Sequence, residues 1–109
     1  MIQIRIAGKH IETGDTLPLH VRSRFVAAIG KLFDGGGEAS VCFEKEGTGY
    51  RSDCSLHLSS GVRLQSRGAD SDIYRAFDQA LERMEKQVRR YARRLKNRHD
   101  RAPRPAGRH

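Results

Sequence analysis

The 109-residue chain reads as an α+β two-layer sandwich, in the order β-α-β-β-β-α, with two helices on one face of a four-stranded sheet. Three observations predict this class. Apolar residues alternate with polar ones in four short stretches, the pattern of half-buried strands. They recur at helical spacing in two longer stretches. Gly-, Ser- and Asp-rich breaks separate these segments in the order strand, helix, three strands, helix. The length suits one domain with one modest core. That domain is expected over 1–98, with 99–109 as a flexible basic tail or the start of a linker.

Ile2, Ile4 and Ile6 alternate with Gln3 and Arg5 in the first strand, which Gly8 and then Thr13-Gly14-Asp15 break. Asp15 or Thr16 is placed to cap a first helix, with Pro18 tolerated in its first turn. Leu17, Val21, Phe25, Ala28, Ile29 and Leu32 carry that helix over about 16–33, and Gly35-Gly36-Gly37 ends it as a connector. Ala39, Val41 and Phe43 mark the second strand, and the glycines of Lys45-Glu46-Gly47-Thr48-Gly49 form a hairpin connection. A third strand over about 50–58 puts Ser52, Cys54, Leu56 and Leu58 on one face and Arg51, Asp53, Ser55 and His57 on the other. After Ser59-Ser60-Gly61, a fourth strand alternates Val62, Leu64 and Ser66 with Arg63, Gln65 and Arg67.

The last helix starts near Asp70-Ser71-Asp72, whose acidic side chains suit the positive end of the helix dipole. Its apolar stripe is Ile73, Phe77, Ala80, Leu81, Met84, Val88, Tyr91 and Leu95. Lys86, Arg89, Arg90, Arg93, Arg94 and Lys96 occupy the rest of the circumference, centred opposite Phe77. This is where the net charge lies. Residues 1–81 hold ten basic and ten acidic groups, whereas 82–109 hold eleven basic and three acidic, which accounts for the whole +8. Closing dipole charge explains part of this placement, but six cations in three turns exceed that role.

Most other chemistries fall away. No apolar run approaches the ~18–20 residues of a membrane span, and the N-terminus runs straight into a strand rather than a secretory leader. A basic helix lying on anionic lipid would have to expose its apolar stripe, which is needed to cover the sheet. Cys54 and His57 fall on opposite faces of one strand and cannot pair as nucleophile and base. Cys42 and Cys54 lie on neighbouring strands, where a cross-strand contact is geometrically allowed, and read as two small buried thiols. The histidines show no zinc spacing, and the triglycine lacks the Lys-Ser/Thr of a phosphate loop. No catalytic, metal or cofactor-binding residues are therefore expected. A polyanion remains: arginines on a rigid helix displace counterions from phosphates at little ordering cost and suit bidentate contacts. With seven aromatic residues, most at apolar positions, backbone and shape recognition of structured RNA is favoured over base reading.

The ordered strings GKHIETGD, HVRSRF with KLFD, VCFEKEG, RSDCSLHL and SDIYRAFDQALERMEKQVRRYARRLK resemble the ribosome hibernation promoting factor family, also called protein Y, ribosome-associated inhibitor or sigma-54 modulation protein. The resemblance covers about residues 1–98. It implies a fold similar to double-stranded-RNA-binding domains and a cytoplasmic, non-enzymatic translation inhibitor of stationary phase or stress. Such a protein binds 16S rRNA of the small subunit at the decoding centre and mRNA channel, and blocks mRNA and the A- and P-site tRNAs. Carried over, its rRNA-binding residues match His20, Arg24 and Lys31 on the first helix and Lys86, Arg89, Arg90, Arg93, Arg94 and Lys96 on the second. Lys9 and Lys45 are weaker matches, as is Tyr74, for which packing against the sheet edge is the favoured role. Dimerisation would need a further C-terminal domain. The alternative is a general structured-RNA or DNA-binding regulator of transcription.

Overall fold

The computed structural model describes residues 2–11, 13–30 and 36–101, with side chains omitted for Ile2 and 95–101. It contains strands β1 (Ile2–Lys9), β2 (Gly37–Glu46), β3 (Gly49–Leu58) and β4 (Arg63–Asp70), and helices α1 (Thr16–Phe25) and α2 (Ile73–Arg101). The strands lie in the order β1-β2-β3-β4. β1 and β2 are parallel, so the chain must cross over between them, and α1 lies within that crossover. β2, β3 and β4 form an antiparallel meander.

The hairpin between β2 and β3 closes in two residues, with Glu46 opposite Gly49. Gly47 takes the first central position at φ 61°, which a side chain would resist. The β3–β4 turn is held by the Leu58 amide donating to the Val62 carbonyl at 2.9 Å.

Four boundaries differ from the sequence-based expectation. Gly8 does not break the first strand but lies inside β1, and α2 runs on through Arg101, past the expected boundary at 98. The α-helical hydrogen bonding of α1 stops at Phe25 and passes into a π-helical turn, Val26–Gly30; the remaining expected positions, 31–33, lie outside the described residues. Gly37 is not connector but the first residue of β2, paired with both Ile2 and Leu58. Its Cβ, were it present, would lie 3.0 Å from the His57 carbonyl.

Alternation divides the sheet faces as predicted. Ile4, Ala39, Val41, Phe43, Cys54, Leu56 and Leu58 are buried beneath the helices, against Leu17, Val21, Phe25 and Ile29 of the first helical segment. α2 contributes Phe77, Ala80, Leu81, Met84 and Val88 to the same cluster, and Tyr91 packs at its margin. α2 approaches β4 very closely at Gly68, where a Cβ would come within 2.2 Å of the Ala76 carbonyl. Small residues, Gly68, Ala76 and Ala80, permit that approach, and the Ser66 hydroxyl donates to the Ala80 carbonyl at 2.6 Å.

The two cysteines do not meet. Cys54 stands opposite Val41 in the core, while Cys42 stands opposite Asp53 on the open face and is only half-buried. The cross-strand contact allowed from sequence is therefore overturned by side-chain parity: the two thiols point to opposite faces of the sheet. Burial pushes the Cys54 thiol up to about 12, against the weaker opposing pull of the Ser52 and Ser66 hydroxyls.

Candidate nucleic-acid interface

α2 carries three kinds of polar side chain around its apolar stripe, and each faces a different neighbour. On the side toward α1, His20 Nε2 lies 3.1 Å from Asp78 Oδ1, and the Thr16 and Tyr74 hydroxyls are 2.8 Å apart. Both pairs are offset by 58 residues, so one turn forward on α1 is one turn forward on α2. The helices therefore run parallel.

On the side toward β4, side chains spaced four apart cover the free edge of the sheet. Gln79 Oε1 accepts from the Ala69 amide at 3.2 Å, Arg83 donates to the Arg67 carbonyl, and Gln87 donates to the Gln65 carbonyl at 2.6 Å. An uncovered edge strand invites pairing with another chain, and this row of side chains blocks it. The third side faces solvent. There Lys86, Arg89 and Arg93 are exposed, and Arg90 and Arg94 are exposed at its border with the β4 side. Arg89 pairs with Glu85 at 2.8 Å, a surface contact one turn apart. Lys86, Arg90, Arg93 and Arg94 make no ion pair among the described residues.

The open face of the sheet is electrostatically different. Arg51 is surrounded by Glu44, Glu46 and Asp53, with Glu46 and Asp53 at 3.1 Å, and Asp53 also takes Arg67 at 2.6 Å. These cations already have partners, so a polyanion gains less by meeting them. Arg5 and Arg63, exposed on the same face, make no ion pair among the described residues, but they are isolated from one another on β1 and β4 at opposite edges of the sheet, whereas the α2 cations are contiguous.

The sequence-predicted residues distribute unevenly over this frame. Arg24 is exposed in the last turn of α1, and Arg22 of the same turn is exposed on a different side of the helix. His20 is half-buried, edge-on to Tyr74 and Phe77 at 4.9 and 5.8 Å, and bridges the two helices. Tyr74 packs on α1 rather than on the sheet edge, because the Thr16 hydroxyl and the His20 ring are its partners. Asp15 occupies the N-cap position of α1 but makes no side-chain cap bond, and Thr16 spends its hydroxyl on Tyr74 instead. The acidic cap of α2 forms as expected, with Asp72 Oδ1 accepting from the Tyr74 amide at 2.8 Å.

Lys9 and Lys45 sit at the end of the sheet where α2 begins, as the pairings Lys9–Glu44, Lys45–Tyr50 and Tyr50–Asp70 show. The α2 cations lie at and beyond the other end, near the Ser59–Val62 turn. The structure therefore does not bring Lys9 and Lys45 together with them. Lys31, the Lys96 side chain and the 102–109 part of the tail lie outside the described residues. No described helix is long and apolar enough to cross a membrane.

Comparison with known proteins places this arrangement among relatives. The sequence profile of the family described as Sigma 54 modulation protein / S30EA ribosomal protein matches residues 4–96. A ribosome hibernation promotion factor of Rhizobium meliloti is 42% identical over 99 residues, covering 91% of this chain and 52% of the relative. One from Bradyrhizobium diazoefficiens is 40% identical over 95 residues, covering 87% of this chain and 47% of the relative. The chain thus spans about half the length of these two curated relatives. Among solved structures, the N-terminal domain of Thermus thermophilus Protein Y superposes with a TM-score of 0.74 at 27% identity, over 84% of this chain and 99% of that domain. With the profile covering most of the chain and the fold shared, the protein belongs to the Sigma 54 modulation protein / S30EA ribosomal protein family, which includes the ribosome hibernation promotion factors.

Proposed function

We propose that this domain binds 16S rRNA of the small ribosomal subunit through the solvent face of α2 and silences translation by occupancy. The observation that carries the reading is the gathering of five exposed cations along α2, of which only Arg89 is ion-paired among the described residues, whereas Arg51 and Arg67 on the open sheet face are held in ion pairs. Fixed on a packed helix, those cations meet phosphates without first being ordered, and each contact releases condensed counterions. The Arg-rich row suits bidentate phosphate contacts.

A compact body carrying this face blocks mRNA and the A- and P-site tRNAs by sitting at the decoding centre and mRNA channel of cytoplasmic ribosomes. The geometry asks for no bond-making step, because the work is exclusion. The relatives named for ribosome hibernation supply the context of stress or stationary phase.

Sedimentation with small subunits tests the reading. The protein should pellet with vacant subunits and be displaced when mRNA and tRNA are loaded first. Equal pelleting with loaded and vacant subunits would favour a general RNA- or DNA-binding regulator.

A further inference from the structure

A groove of about 770 Å³ runs between the β3–β4 turn, β4 and the C-terminal half of α2. Its volume is within the range of small-ligand sites. Its walls differ in chemistry. Val62 and Leu64, both half-buried, and Tyr91 form an apolar side. Arg90 and Arg94 form a cationic lip, about 6 Å apart along the helix axis. The Tyr91 hydroxyl is bonded to Ser60 Oγ at 2.9 Å, which fixes the orientation of the ring. Gln87 is anchored through its amide nitrogen to the Gln65 carbonyl at 2.6 Å, so its side-chain oxygen remains an acceptor at the groove wall.

We propose that this groove is a subsite for one unstacked nucleotide of a single RNA strand. An apolar wall with an oriented phenol ring takes a base, and the two guanidiniums take the phosphates on either side of it. Aromatic side chains hold bases of any identity, because every base has a π-face. The Gln87 oxygen accepts from the edge of a base that presents an amino or imino donor. Arginine also stacks on such rings, which phosphate-only recognition does not use.

Charge argues for RNA as the occupant. The lip continues the same exposed cationic row that includes Lys86 and Arg93, so a strand following α2 passes directly over the groove. In this respect the inference rests on the proposed function, and it adds to it: the domain reads more than helical shape.

The test uses the full chain and three probes at moderate salt: a uridylate pentamer, an abasic ribose-phosphate strand of equal length and charge, and uridine monophosphate. Affinities are followed together with the Tyr91 ring resonance. The pentamer should bind about tenfold more tightly than the abasic strand and shift the Tyr91 signal. Tyr91→Leu should remove that preference, and Tyr91→Phe, which keeps the ring, should retain it. Equal affinity for the base-bearing and abasic strands, with Tyr91 unmoved, would overturn the subsite while leaving sedimentation with ribosomes intact. A mononucleotide that shifts Tyr91 at the pentamer's affinity would overturn RNA as the occupant. Loss of sedimentation itself would refute the broader reading instead.

Discussion

His20 Nε2 and Asp78 Oδ1 stand 3.1 Å apart, one turn along from the Thr16–Tyr74 hydroxyl pair, and together these contacts fix the register of two parallel helices. The relationship orients α2 about its axis, and with it the direction in which the cations point. His20→Ala and Asp78→Ala should each lower stability by about 1 kcal/mol, the ordinary net contribution of one part-exposed hydrogen bond. The double variant should cost less than the sum, because the two act as a pair. Urea denaturation of the three variants checks this.

Gly68→Ala should destabilise far more. The new methyl would meet the Ala76 carbonyl at 2.2 Å and the Ala80 amide nitrogen at 2.7 Å, both backbone atoms that cannot swing aside. The helix would have to lift from the sheet, at about 1–3 kcal/mol or more. Thermal unfolding should show it, with α2 losing amide protection first.

The two thiols should behave as different species. Cys42, half-exposed on the open face, should react with a thiol reagent in the native state, whereas Cys54 should react only as the protein unfolds. Stability should also depend on Cys54 at high pH. Its folded-state pKa is pushed up from 9.0 to about 12 by burial, so folding favours the protonated thiol. That contribution is whole below pH 9 and is lost as the unfolded chain ionises between about pH 9 and about 12. Cys54→Ala should therefore lose less stability than the native protein between pH 8 and 11, measured by denaturant midpoints at each pH.

Much of this architecture was legible because strands and helices impose different periods on the same apolar residues. The alternation of Ile4 with Arg5, or Cys54 with Asp53, assigned faces directly. The 3.6-residue stripe from Ile73 to Tyr91 identified the buried side of α2, with Leu95 outside the described side chains. Periodicity does not encode which neighbour lies beside a helix. That is why His20 and Tyr74 showed their partnership only in three dimensions, and why Gln79, Arg83 and Gln87 revealed their role as an edge cover only once β4 lay beneath them. The expected cationic side opposite Phe77 proved to have parts: Arg90 and Arg94 line a groove against β4, and Arg89 is paired with Glu85. The continuation of α1 as a π-helical turn left no trace in the apolar spacing, since Ala28 and Ile29 suit either geometry.

The salt dependence of binding to vacant small subunits tests the central claim most directly. The native protein should lose affinity steeply as salt rises. Replacing Arg89, Arg90, Arg93 and Arg94 by Ala should leave folding nearly unchanged but reduce the slope of log affinity against log salt, by roughly 0.7–0.9 for each phosphate contact removed. An unchanged slope in the quadruple variant would contradict α2 as the surface that holds the RNA.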